Sequence, residues 1–339
     1  AYRRQRQMCI RDRLNRSVMT DTTRPKRYRM VSKYYKETYG EKVYKLPVAL
    51  PLTCPNRDGS AGVGGCTFCG EIGAGYENRP AWMTVRMQLE ENIAHIGPKY
   101  KAKKFIPYYQ NFSNTYLGLD DFKSYMEQGC IDEAVGIAIA TRPDCIADEY
   151  LDILADIRDR FQKDIYIELG LQTVNYDTLE KINRGHDLAQ FIDAVLRIKR
   201  YGFNVTTHMI VNLPWDTMKD TIEGARILSA LGVDQVKLHA LYIVKNTLMA
   251  KWYQEGQFTL ISAEEYADRV VNFVRHLHPD IVLQRLVGRA PEDNTLFTNW
   301  SMGWWRVQDL IDDKLDELDA HQGDLCDYLN GKAVRKFID

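Results

Sequence analysis

The segment 53–70, TCPNRDGSAGVGGCTFCG, sets three thiols in the spacing Cys54-x11-Cys66-x2-Cys69. Cys66 and Cys69 can hold one metal from a single tight turn. Gly59, Gly62, Gly64 and Gly65 let the intervening chain fold back toward Cys54. Three thiolates on one loop suit an iron–sulfur cluster with one iron left free of protein ligands. An open coordination position is a mark of catalytic centres. Two other chemistries share the pattern. Zinc would need a fourth ligand, and His95, His208 and His239 are all distant in sequence. A redox dithiol would use Cys66 and Cys69 and leave Cys54 idle.

The rest of the chain alternates short apolar runs with amphipathic stretches. Strands are expected at 46–53, 104–113, 134–141, 164–171, 204–214 and 234–244, and helices at 84–96, 119–129, 147–161, 187–202 and 217–232. This rhythm predicts parallel strands joined by right-handed helical crossovers. Six units are too few for a closed eight-unit barrel. Periodicity alone does not separate an open, curved (β/α)6 barrel from a flat doubly wound sheet. Past residue 250 the rhythm changes. A helix is expected at 262–277, with Ser262 as N-cap and Glu265 completing a capping box. A strand follows at 280–288, and an amphipathic helix ends the stretch 299–318. The organisation expected is a barrel over 46–249 with an α/β extension, 250–339, packed on it.

Polar residues recur where the strands end. They are Gln110, Ser113 and Asn114, then Thr141 and Arg142, then Glu168 and Gln172. Arg184 and His186 follow in a helix break, then His208 and Asn212, then Lys237 and His239. One polar strand end is ordinarily a cap; six in succession describe a lined pocket.

Composition narrows the class. With 339 residues and 45% hydrophobic content the chain can bury a large core. No apolar run approaches the ~20 residues of a membrane span, so a soluble protein with no membrane partner is expected. Seven irregularly spaced cysteines do not form a disulfide framework, which points to a reducing cytoplasm. Residues 1–18 lack an initiator Met and an apolar signal core, and they read as a non-native or disordered leader. They hold six Arg and one Asp, so without them the net charge moves from −1 to −6. A basic segment, 19–45, interleaves eight Lys/Arg with Tyr28, Tyr34, Tyr35, Tyr39 and Tyr44. Cations mixed with rings suit an RNA backbone with exposed bases; a solvated amphipathic helix has the same composition.

The cysteine loop, ATRPD (140–144), IELGLQT (167–173) and INRGH (182–186) together resemble the radical S-adenosylmethionine (SAM) superfamily over about residues 26–330. Within it, the chain is similar to the group of the elongator catalytic subunit and the oxygen-independent coproporphyrinogen oxidases. Inside that group it resembles an uncharacterised bacterial family. The first cysteine gap is wider than the common three residues, as in the elongator branch. VNLPWDT (211–217) carries Asn212 where many relatives have Gly.

The resemblance implies an open partial TIM-like barrel and a 4Fe–4S cluster on Cys54, Cys66 and Cys69. SAM would bind the free iron and be cleaved to methionine and a 5′-deoxyadenosyl radical. It further implies SAM contacts from Phe68 beside the cluster, Arg184 on the carboxylate, and Glu168 on a ribose hydroxyl or the ammonium. Gln172, Gln110 and Asn114 would lie nearby, with His239 and Leu241 flanking the adenine. Reduced flavodoxin or ferredoxin is the expected electron donor. The expected substrate is tRNA, at the side chain of a 5-substituted wobble uridine. The chain has no room for the elongator's acetyltransferase domain. The alternatives are a small metabolite or tetrapyrrole, with the Trp-rich stretch 285–307 closing over it, and an iron–sulfur accessory protein without turnover. Cys145, just after TRPD, could donate a hydrogen atom, although a lone Cys is ordinarily a small buried hydrophobe.

Overall fold

Seven parallel strands lie side by side in chain order: β1 (Val43–Val48), β2 (Lys104–Tyr109), β3 (Gly136–Thr141), β4 (Asp164–Gln172), β5 (Asn204–Ile210), β6 (Gln235–His239) and β7 (Val282–Arg285). The computed structural model describes residues 25–71, 73, 77–288 and 292–338. The leader 1–18, Arg24 and Arg289 therefore lie outside the described residues. Because every crossover steps to the next position in the same sense, the twisted sheet curls into a half-barrel. The periodic reading counted six strands; the extension supplies the seventh, which pairs with β6. No helix of the described residues is long and apolar enough to cross a membrane.

Period-2 alternation sorts the two faces. Ile137, Ile139, Ile165, Ile167 and Leu169 bury outward against Leu151, Leu154 and Phe191 of the flanking helices. Ala138 and Tyr166 point inward with Tyr35. The helices are α1 (Val31–Tyr39), α2 (Val85–Tyr100), α3 (Leu119–Gln128), α4 (Asp148–Phe161), α5 (Tyr176–Lys181), α6 (Leu188–Arg200), α7 (Met218–Leu231), α8 (Leu248–Gln254), α9 (Ala263–His276) and α10 (Trp304–Glu317). Capping boxes at Asp187/Gln190 and Thr217/Asp220 fix the starts of α6 and α7. The box expected at α9 is half formed. Ser262 accepts from Glu265 N, but the Glu265 carboxylate pairs with Arg269 at 3.1 Å instead of returning.

β1 stops earlier than the apolar run 46–53 suggests. The next two backbone N–H groups bond side chains: Ala49 to Gln88 Oε1 at 2.9 Å and Leu50 to Asn111 Oδ1 at 3.2 Å. The chain thereby leaves the ladder and turns toward the cysteines.

Part of the basic N-terminal segment is spent inside the fold. Lys26 pairs with Asp312 at 2.5 Å, Arg27 with Asp316 and with Asp319 at 2.8 Å, and Arg29 donates to Asp280 O at 2.7 Å. These bonds tie the segment to α10 and to the entry of β7. Tyr35 sits edge-on to Tyr166, and the Tyr39 hydroxyl donates to Asp164 Oδ2 at 2.5 Å. α1 is thus a plug at the N-terminal end of the strands, opposite the cysteine loop. Lys26, Arg27 and Arg29 have a structural role, while Lys33, Lys36 and Lys42 of the same segment are exposed. The Trp-rich stretch is likewise internal at Trp300, whose indole donates to Ile261 O at 2.7 Å and packs on Tyr266 and Phe297.

Candidate functional site

Cys54 is the N-cap of a one-turn helix, Pro55–Asp58, with Pro in the first position. Asn56 is fully buried and donates to Asn183 O at 2.6 Å and to Cys66 Sγ at 3.6 Å. Asn183 donates in return to Val63 O at 3.1 Å and Gly65 O at 2.8 Å, and Thr67 N bonds Ile182 O at 3.0 Å. The INRGH turn and the cysteine loop are therefore laced into one body. Gly185 has φ +71°, and a Cβ there would stand 2.5 Å from Asn56 Oδ1. Gly185→Ala is expected to cost about 1–3 kcal/mol through strain alone and to loosen the loop. Anaerobic urea melts should show an earlier midpoint and lower cluster retention; an unchanged midpoint contradicts the lacing.

Each of the three sulfurs meets a donor. Ser113 Oγ approaches Cys54 Sγ at 3.8 Å, Arg184 Nη1 reaches Cys66 Sγ at 3.4 Å, and Arg57 Nη2 reaches Cys69 Sγ at 3.4 Å. Burial pushes the Cys69 thiol up and the neighbouring Cys66 adds to this, while the Arg57 charge opposes both. Donors of this kind stabilise metal-bound thiolates. Among the described residues no three His, Cys, Asp or Glu side chains gather closely enough to hold a single ion. Three thiolates on one loop, each faced by an N–H or O–H donor, are a donor set that fits a 4Fe–4S cluster with one iron free of protein ligands. The imidazoles weighed for zinc lie elsewhere: His95 is exposed on α2, and His208 and His239 bond each other.

Arg184 is placed by three neighbours. Its guanidinium donates to Gly170 O at 2.7 and 3.2 Å, and its own carbonyl accepts from Arg142 at 2.8 Å. Arg142 is in turn locked to Asp144 through two nitrogens, at 2.9 and 2.7 Å. A Cβ at Gly170 would meet Arg184 at 2.7 Å and Gln172 at 2.8 Å. Only glycine lets Arg184 and Gln172 close over β4, where the register shifts and Gln172 takes φ +78°. His186 bonds Gly170 O at 3.0 Å; burial, then the charges of Arg184 and Arg142, hold it neutral.

Below this turn lies a polar chamber inside the half-barrel. Glu168 is 1% exposed and both its oxygens are taken. Lys45 bonds Oε1, and His208 at 2.6 Å and Lys237 at 3.3 Å bond Oε2. Burial alone would raise this carboxyl, but the charges of Lys237 and Lys45 outweigh it and hold it well below the usual carboxylate range. Lys45 also donates to Gln284 Oε1 at 3.0 Å, so the first and last strands are bridged across the interior. Arg285 donates to His239 Nδ1 at 2.7 Å, and His239 Nε2 faces His208 Nδ1 at 3.3 Å.

The remaining expected contacts separate. Phe68 and Leu241 share one apolar cluster with Ile182 and Ile210 beside the loop. Leu241 N bonds Asn212 Oδ1 at 2.6 Å. Gln110 donates to Asn78 Oδ1 at 2.7 Å. Asn114 spends its amide on the carbonyls of Tyr109, Asn111 and Ala140 and staples the chain after β2. His239 belongs to the chamber. The Cys145 thiol is pushed up to about 12 by burial and then Asp144. Asn56, Arg57, Asn183, Lys45 and Arg285 are site residues that the sequence reading passed over. The first three lie within or beside the quoted motifs. Lys45 was read within the basic segment and Arg285 within the Trp-rich stretch, and nothing local placed either in the interior beside Glu168.

Asp216, after β5, is a buried carboxyl whose Oδ1 has no hydrogen bond. Burial pushes it up to about 6 from an ordinary 3.8. A raised acid favours the protonated fold, so its stability contribution falls as pH rises through that window. Asp216→Asn should flatten the pH dependence of the melting temperature between about pH 4 and 6; a slope equal to the parent's refutes this.

Comparison with known proteins bears on both halves of the chain. Residues 56–228 match the Radical SAM superfamily model and 233–317 the Radical_SAM C-terminal domain. The uncharacterized protein YtqA of Bacillus subtilis is 33% identical over 312 residues, 91% of this chain and 96% of that protein. A tRNA uridine(34) acetyltransferase of Dehalococcoides mccartyi is 26% identical over 128 residues, 37% of this chain and 27% of that protein. The solved structure of archaeal Methanocaldococcus infernus Elp3 superposes with a TM-score of 0.63 at 13% identity. That match covers 83% of this chain and 64% of the Elp3 chain, and it is a likeness of fold.

Proposed function

The chain belongs to the radical SAM superfamily, and from that premise we propose that this enzyme modifies tRNA at the 5-substituent of a wobble uridine. The superfamily's 4Fe–4S cluster and SAM supply, when bound, a hydrogen-abstracting 5′-deoxyadenosyl radical. The residues of this chain bind, orient and shield. Cys54, Cys66 and Cys69 hold the cluster, with Ser113, Arg184, Asn56 and Arg57 donating to their sulfurs. Phe68 and Leu241 offer an apolar face to the adenine. Arg184 and Gln172, pressed together over Gly170, present donors to the methionine carboxylate and the nucleoside. Gln110 stands at the mouth beyond β2, where the buried Asn114 fixes the chain, and His239 and Glu168 line the chamber beneath. Such enzymes need a reductant, and reduced flavodoxin or ferredoxin is the proposed donor.

The observation that carries the RNA reading is a pair of exposed rings on the cysteine-loop end of the sheet. Trp82, before α2, is 78% exposed, and Tyr176, at the start of α5, is 63% exposed. Exposed rings beside a catalytic mouth suit stacking of unpaired bases. The similarity to a tRNA uridine(34) acetyltransferase over 128 residues supports the same substrate class. Nucleoside mass spectrometry of tRNA from a deletion strain should show a wobble uridine derivative lost and its precursor accumulated; an unchanged profile removes RNA as the substrate. A small anionic metabolite is the second reading, favoured by the cations of the chamber.

A further inference from the structure

The chamber holds more positive charge than it neutralises. Lys45, Lys237 and Arg285 enter it from β1, β6 and β7, and Glu168 from β4. Among the described residues Glu168 is the one carboxylate that pairs with Lys45 or Lys237, and Arg285 pairs with none. The two histidines do not supply the missing charge. A guanidinium cannot accept and a carboxylate cannot donate, which fixes the direction of the chain between them. Arg285 Nη2 lies 2.7 Å from His239 Nδ1 and 3.1 Å from Nε2; with the nearer nitrogen accepting, His239 Nε2–H donates to His208 Nδ1 and His208 Nε2–H to Glu168 Oε2. Both rings are therefore neutral. Burial holds His208 down at about 4, with Lys237 adding to it; burial and then Arg285 hold His239 low as well.

Donors remain unused. Arg285 Nε is buried with no hydrogen-bond partner. Lys237 Nζ carries three hydrogens and has two partners, Tyr108 Oη at 3.2 Å and Glu168 at 3.3 Å. Nor is the chamber sealed. Glu168 is covered, but the side chains of Lys45, His208 and Lys237 keep 17%, 15% and 11% of their surface accessible. A solvent-reachable cluster of cationic side chains with orphan N–H groups is organised for an anion, since unpaired buried charge is strongly unfavourable.

We propose that the chamber is an oxyanion subsite, in which Arg285 and Lys237 hold a carboxylate or phosphate group carried by the substrate. Lys45 and Glu168 set the floor. The His208–His239 pair keeps Arg285 turned inward by accepting one of its N–H groups. The subsite deepens the reading above by naming a chemical group on the substrate, and it rests only on the substrate entering from the cysteine-loop end, whether it is RNA or a metabolite.

The test is anion titration of the anaerobic, cluster-loaded protein at constant ionic strength, balanced with chloride. Thermal shift and calorimetry would follow acetate and inorganic phosphate separately. Saturable binding of acetate alone marks a carboxylate subsite, and of phosphate alone or more tightly a phosphate subsite. Arg285→Gln should weaken the bound anion at least about tenfold, while Arg285→Lys, which keeps the charge without the fork, should retain part of the affinity. Lys237→Met provides a second measure if Arg285→Gln loses its cluster absorbance or circular dichroism. The proposal is overturned by no saturable response to either anion, by parent-like binding in both charge-removing variants, or by loss of anion binding when SAM is added, which would give the subsite to the cofactor. Saturable binding by a protein that forms no 5′-deoxyadenosine would leave the subsite standing while the enzymatic reading fell.

Discussion

Cys66→Ala is expected to reduce 5′-deoxyadenosine formation by the reconstituted protein, with dithionite and SAM, to the level of a protein-free control. Cys66 is 8% exposed and sits where the cysteine loop meets the INRGH turn, receiving N–H groups from Arg184 at 3.4 Å and Asn56 at 3.6 Å. Removing its sulfur takes away a cluster ligand and leaves those donors facing a void. The loss should be read twice. Iron and sulfide content should drop with the cluster absorbance, and product formation should vanish. Cys54→Ala and Cys69→Ala should behave alike, whereas Cys130→Ala and Cys326→Ala, on cysteines outside the loop, should stay close to the parent. Product formation by the Cys66 variant at even a tenth of the parental rate would sink the ligand assignment.

Glu168→Ala is expected to destabilise the fold by about 3–5 kcal/mol, the range for removing one partner of a buried ion pair. Glu168 takes bonds from Lys45, His208 and Lys237, so its loss strands two ammonium groups inside the barrel. Burial already pushes Lys237 down to about 7 although the carboxylate opposes it; without Glu168, Lys237 should release its proton at a lower pH still. The double variant Glu168→Ala with Lys237→Met should recover part of the loss, because a stranded charge is gone, and, with Lys237→Met measured alone, the departure from additivity reports their coupling. Urea melts of the cluster-loaded protein measure all three. A single-variant loss within about 0.5 kcal/mol, the scale of ordinary surface changes, would show that water, not protein, balances these charges.

Much of the scaffold was legible in the sequence because its determinants are local. The alternation in GIAIAT and DIYIELGLQ, the helical spacing of LDILADIRDRF and the caps at Asp187 and Thr217 act within a few residues. The ends of strands were less legible. Residues 49–53 look like strand, yet Gln88 and Asn111, 39 and 61 residues away, take the first two backbone N–H groups. Charge was misread for a related reason. Lys26 and Arg27 belong to a basic run on paper, but their partners Asp312, Asp316 and Asp319 lie almost three hundred residues on.

What the sequence determined by itself is the chemistry of the opening stretch. Three cysteines one ligand short of a closed site, followed by ATRPD, IELGLQT and INRGH in a β/α series, carry the superfamily resemblance because residue type and spacing are covalent facts. The tertiary structure alone decided how those sulfurs are held and what lies beneath them. Asn56 and Asn183 lace the loop, Arg57 and Arg184 face the thiols, and the curl of the sheet brings Lys45 of the first strand to Gln284 of the last. These are contacts between residues far apart in the chain. They exist only after seven strands have wound into a half-barrel, which is why no local pattern announces them.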